Sequence, residues 1–587
     1  MRSYTKLVSA LLTPAAIFLA GCGQSGSSNS TPLVTTNSPW IWEGGSTTVG
    51  AIHGQPAVYG TQGVAAASNN PGGRFGAAKW TDPSGNLWLF GGSGPASQDI
   101  NGLYNDLWEY STATNQWTWV AGSNTLNTGS LLNGSYGTLG VAAASNVPPA
   151  RTSPITWVDT SGNLWMYGGN AVTTFNIPTT ATTYTYTNGT KGSNPTSMPG
   201  TPIISTLSTP LNDLWKFTPS TGMWTWIAGT NITGQTFPAN SSYGKIGVTA
   251  STNNPGVRTG AVSWVDASGN FWLFGGAGAT TSSVTISNVP SSVPSCYSGT
   301  QVTTTGTEFN SNGSMSDLWE YNPSTNLWTW VAGPSGFAND AATVGSGTIE
   351  SATNNAVGNY GTMGTAAATN EPGARFSGST WTDTSGNLWL FGGYGNIVDP
   401  DTTCLTTTTT TTTGCPAVTT TTTSCVAPAP AVPSLLNDLW KFNTTSKQWT
   451  WVSGSSQVLN PTGVYGTQGT AAATNVPGAR TNAVSYADTS GNLWLFGGQD
   501  LVSTARNDLW EFNTSTGQWV WVNGTSTADA PGYYGTLGTA ADTNDVGART
   551  QASGWTDKSG NFWLYGGTGY DSQGTSGALN DLWMFKP

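Results

Sequence analysis

The chain has 587 residues, of which 77 are glycine, 29 are tryptophan and only 8% are charged. That length exceeds the roughly 250–300 residues at which a single core stops growing, so several domains or a repeat assembly must share it. With 17 Lys and Arg against 28 Asp and Glu the net charge is -11, which supplies no basic track for nucleic acid, and one histidine, His53, excludes a multi-histidine metal site.

In chain order, Arg2 and Lys6 precede an apolar run from Leu7 to Ala20. The run is shorter than the ~20 apolar residues of a membrane span and reads as the core of an export signal. It ends in Leu19-Ala20-Gly21-Cys22, which resembles a bacterial lipoprotein signal. The resemblance implies cleavage after residue 21, lipidation of Cys22 and a membrane partner through that lipid. Gly23 stands where an aspartate would be the inner-membrane retention signal of enteric lipoproteins, so the implied location is the outer membrane or cell surface. Residues 22–38 are small and polar, a composition expected of a flexible tether.

Trp40-Ile41-Trp42 follows as an isolated W-x-W strand, and from there the chain repeats. Six Gly-Gly pairs, beginning at Gly91, Gly168, Gly275, Gly392, Gly497 and Gly566, each lie 17 residues after an arginine: Arg74, Arg151, Arg258, Arg375, Arg480 and Arg549. Each arginine lies 15 residues after the tyrosine of a Y-G-x-x-G stretch: Tyr59, Tyr136, Tyr243, Tyr360, Tyr465 and Tyr534. Six D-L-W triplets start at Asp106, Asp213, Asp317, Asp438, Asp508 and Asp581, and the first five are followed 11 residues later by W-x-W. The sixth is not, and residues 40–42 are its missing strand.

Each unit reads as four short strands: one from the arginine, one of the type Leu87-Trp88-Leu89-Phe90, one at D-L-W and one at W-x-W. The D-x-S-G-N segment between the first two, such as Asp82 to Asn86, is a tight antiparallel turn. A strand apolar at consecutive positions needs both faces covered, as in radial sheets packed between neighbours. All 29 tryptophans fall in these strands, so they are assigned to the core and none to an exposed sugar platform.

These motifs resemble kelch repeats, such as those of the central domain of galactose oxidase, over residues 39–587. The resemblance implies an all-β fold, a six-bladed kelch-type β-propeller closed by the N-terminal W-x-W strand in the last blade. The repeated arginines and aspartates are expected to be structural. Copper-radical oxidation is rejected, since its imidazole ligands are missing.

Variation is concentrated between the second and third strands. Those connections run 13, 43, 40, 44, 9 and 13 residues, with long insertions at about 170–210, 277–316 and 394–437. They are expected to form loops grouped on one face, with the runs Thr406–Thr413 and Thr419–Thr423 solvated. Four cysteines, Cys296, Cys404, Cys415 and Cys425, lie in two of them and, in an exported chain, are expected to form two disulfides. Lys79, Glu371 and Arg506 break the repeat pattern. The leading expectation is a non-enzymatic binding or adhesion module of the cell envelope, without cofactor or metal, for a glycan or protein. The alternatives are a structural envelope spacer and a periplasmic sugar-modifying enzyme of the kelch epimerase kind.

Overall fold

The computed structural model describes residues 40–97, 100–126, 134–177, 180–187, 190–191, 196–199, 203–231, 241–287, 299–335, 357–398, 406–411, 418–423, 431–500 and 504–587. The proposed export signal and tether, Cys22 and the four insertion cysteines lie outside them. The described chain is all-β, built of small antiparallel sheets in a β-propeller-like arrangement.

Six sheets carry the repeat. In the first, Ala78–Thr81, Leu87–Phe90, Leu107–Ser111 and Gln116–Ala121 pair in sequence order. The unit at the C-terminal end draws its fourth strand from the other end of the chain. Ile41–Gly44 runs antiparallel to Leu582–Phe585, with Trp42 opposite Trp583. Trp119 stands opposite Trp108 in the same way in the first unit.

The continuous apolar strand is explained by what lies on either side of it. Leu87 and Leu89 pack with Trp555 and Trp563 of the sixth unit, whereas Trp88 and Phe90 pack with Leu164 and Met166 of the second. Alternate side chains of one strand thus feed two cores. Six such clusters lie between successive units, and the one between the sixth and the first is built like the rest.

The outer strand of each sheet is covered by the Y-G-x-x-G segment. Gly63 N–H donates to the Trp119 carbonyl at 2.8 Å, and the Asn69 side chain donates to the Trp117 carbonyl at 2.9 Å. In the sixth sheet the same bonds run from Gly538 to Trp42 and from Asn544 to Trp40. A strand edge that would otherwise be open to pairing is thereby partly satisfied within the unit.

The insertions depart from the expectation of loops. Asn170–Ile177 pairs with Ile203–Pro210, and the third unit extends its central strands to Phe271–Ser287 and Gly299–Asn322. Thr180–Thr187, from the insertion of the second unit, pairs with the start of Gly299–Asn322, with Thr180 opposite Thr305 and Tyr186 opposite Gly299. Thr406–Thr411 and Val418–Thr423 form a hairpin. Threonine is β-branched, and its restricted χ1 suits extended backbone, so composition that reads as a solvated tract also suits a strand.

The disulfide-bond expectation for Cys296, Cys404, Cys415 and Cys425 is corrected. The structure holds no disulfide among the described residues, and these contain no cysteine. The repeated core is instead joined by strand pairing, the inter-sheet clusters and buried ion pairs.

Candidate functional site

The recurrent polar residues form one buried cluster per unit. Arg74 donates through Nη1 to the Gly91 carbonyl at 2.9 Å and to Asp106 Oδ1 at 2.7 Å, and through Nη2 to Asp106 Oδ2 at 2.8 Å and to the Pro71 carbonyl. Tyr59 Oη and Trp108 Nε1 donate to Asp106 Oδ2 at 2.9 and 2.7 Å. The 17-residue spacing from arginine to Gly-Gly is thus the reach from a guanidinium to the carbonyl it clasps. Arg151–Asp213, Arg258–Asp317, Arg375–Asp438, Arg480–Asp508 and Arg549–Asp581 repeat the pair at 2.6–3.0 Å, and all are buried. Burial, and then Asp106, push the Tyr59 phenol well above its usual pKa, which keeps it a donor. In each unit the guanidinium Nη donors are spent on the paired aspartate and on a backbone carbonyl, inside the protein.

The turn aspartates are also occupied. Asp82 Oδ1 accepts from Ser84 N–H and Asn86 N–H at 2.8 and 2.9 Å, and Oδ2 accepts from Trp88 Nε1 at 3.0 Å. Asp159, Asp266, Asp383, Asp488 and Asp557 take the matching tryptophan bond.

The innermost strands enclose a channel that sequence reading missed. Two chambers, about 210 and 450 Å³, share Lys79, Thr156, Ser263 and Thr380 in their walls. At the end of the smaller one, Gly76, Ser153, Gly260, Ser377, Asn482 and Gln551 hold left-handed φ between 50° and 64°. The peptide of one unit donates to the carbonyl of the unit before it: Ser153 N–H to Gly76, Ser377 to Gly260, Asn482 to Ser377, Gln551 to Asn482 and Gly76 to Gln551, at 2.7–3.1 Å. Left-handed backbone costs a non-glycine residue ~1–3 kcal/mol, which these bonds help to offset. The signal in the sequence was the residue two after each arginine, which varies as Gly, Ser, Gly, Ser, Asn and Gln.

The three polar exceptions are not brought together. Lys79 lines the channel, and burial draws its amine down to about 8. Neither Glu371 nor Arg506 lines it. Burial pushes the Glu371 carboxyl up to about 7. Arg506 lies in a separate hollow of about 390 Å³, where Nη2 donates to Asp500 Oδ2 at 2.8 Å and Nη1 to the Ser526 carbonyl at 3.0 Å. His53 is exposed, with Nδ1 3.0 Å from the Ser576 carbonyl. Among the described residues no three His, Cys, Asp or Glu side chains are grouped so as to hold a metal.

No family model and no curated protein matches the chain. Among solved structures, one described as "Structure of YjhT" is similar at 11% identity and a TM-score of 0.39, covering 89% of this chain and 95% of that one. A fungal alcohol oxidase of the AA5 family, in complex with copper, is similar at 12% identity and a TM-score of 0.33, covering 90% and 77%. At these scores neither likeness carries an argument, and the functional reading rests on this chain's own residues.

Proposed function

We propose that the chain is a non-enzymatic binding module of the cell envelope, a six-bladed β-propeller closed by its N-terminal strand. The insertions of blades 2 to 4 present its binding surface to an external glycan or protein. One observation carries this reading: Thr180–Thr187, in the insertion of blade 2, pairs with Gly299–Asn322 of blade 3, so two blades contribute strands to one sheet. A spacer needs no lateral pairing between its decorations, whereas recognition gains from strands held at fixed separation on a rigid base. The enzymatic alternative requires an acid and a base at one place, and Lys79, Glu371 and Arg506 do not supply them. Export and a lipid on Cys22 complete the proposal by placing that surface outside the cytoplasm.

The test replaces residues 171–209 with the nine-residue connection of the fifth unit. The intact protein is expected to bind envelope polysaccharide or whole cells saturably, and the exchanged protein to lose at least ~10-fold in affinity, about 1.4 kcal/mol. Periodate and protease treatment of the cells separates a glycan from a protein ligand. Unsaturable binding by the intact chain, or equal binding by both chains, overturns the reading.

A further inference from the structure

We propose that the axial channel is a binding site for a small oxyanion, held at the Lys79 ammonium. Lys79 stands in the wall shared by the two chambers, level with Thr156, Ser263 and Thr380. Among the described residues it is the one charged residue lining either chamber, in a chain whose net charge is -11. Among the described residues no carboxylate lines the channel, and no hydrogen bond or ion pair engages the amine.

The wall around it is differentiated. Ser263 Oγ and Thr380 Oγ1 donate to the carbonyls of Thr156 and Ser263, at 3.3 and 3.1 Å. Their donors are spent on the neighbouring strand. Asn482 and Gln551, which line the smaller chamber beyond them, carry side-chain amide donors with no partner in the protein. A cavity of about 210 Å³ is therefore lined by one ammonium-bearing and two amide-bearing residues and, among the described residues, by no negative charge.

A partly desolvated cation without a counter-charge is unfavourable, and it has two ways out: loss of its proton, or capture of an anion. The amine midpoint of about 8 reflects the first route, with burial as its cause. An anion opens the second, and by linkage raises that midpoint. Binding is present while the amine is charged and weakens as pH rises through it, by about tenfold per unit above the midpoint. Among the described residues no other titratable group lines either chamber to blur that dependence.

The experiment uses the full chain with its lysines carrying ¹³C-methyl groups, titrated by NMR in chloride, acetate or sulfate at matched ionic strength. The Lys79 signal, assigned by its loss in Lys79→Met, is expected to titrate about one pH unit higher in millimolar acetate or sulfate, with the other lysines unmoved. Preference for acetate marks a planar carboxylate as the ligand, and preference for sulfate a tetrahedral oxyanion. Thermal unfolding gives a second readout: either anion should raise the midpoint below pH 8 and not well above it, and should do neither in Lys79→Met. A Lys79 titration indifferent to both anions overturns the proposal. If Lys79→Met fails to fold, Lys79→Arg supplies the assignment, and the titration of the signal it removes decides the matter in the unmutated chain. The exchange of residues 171–209 leaves every channel residue in place, so the anion effect stands or falls independently of the insertions.

Discussion

At the scale of single residues, a positive and a negative charge are buried together six times, and geometry makes this tolerable. Burial raises the Asp508 carboxyl, but the Arg480 guanidinium, with the Trp510 indole and the Tyr465 phenol, holds it below the usual carboxylate range. Asp508→Asn leaves Arg480 charged and uncompensated, and is expected to cost about 3–5 kcal/mol in urea unfolding. The double change Arg480→Met with Asp508→Leu should recover much of that. Because the folded pKa is depressed, the contribution of Asp508 is complete above the ordinary value of 3.8 and is lost as pH falls through the folded one. The unmutated chain should therefore lose stability below about pH 4 more steeply than Asp508→Asn. Equal stability of Asp508→Asn and the parent at neutral pH would show that the cluster contributes nothing.

At the scale of elements, the strand Ile41–Gly44 and the Trp40 that precedes it test how the sheets cohere. The Trp40 ring lies 5.4 Å from Phe496 and 5.1 Å from Phe585, so one side chain touches both the fifth and the sixth units. Trp40→Ala is expected to cost about 3–5 kcal/mol, and deletion of residues 39–45 to lower the melting temperature of the whole chain. A deletion protein that melts like its parent would show the strand to be dispensable. The strands of the core were legible because their motifs recur at constant spacing: Arg74, Gly91 and Asp106 come together through intervals that can be counted. The insertion strands were not legible, since runs such as Thr406–Thr411 lack both the apolar alternation and the turn residues that mark a strand. The channel was hidden for a different reason. Lys79, Thr156, Ser263 and Thr380 are single positions within otherwise ordinary strands, and only their convergence gives them meaning.

At the scale of the whole molecule, location and binding are separable. If a lipid on Cys22 anchors the chain, Cys22→Ser should abolish lipid labelling and release the protein from membranes. Among the described residues no helix is long and apolar enough to cross a bilayer. Retention of Cys22→Ser in the membrane fraction at high salt would count against the anchor. The insertion cysteines do not bear on this test, and the core that presents the insertions has an internal means of cohesion in its ion pairs and tryptophans.

The pairing of Ile41–Gly44 with Leu582–Phe585 also sets a clock. Trp40 is synthesised before its partner Asn544, which lies 504 residues further along the chain. At ~5–20 residues per second that is a wait of about 25–100 s, during which the first strand has no native neighbour. Contacts so remote in sequence form late and slowly. A nascent chain cannot complete this sheet until Leu582–Phe585 is made, and any product terminated before it leaves Ile41–Gly44 unmated.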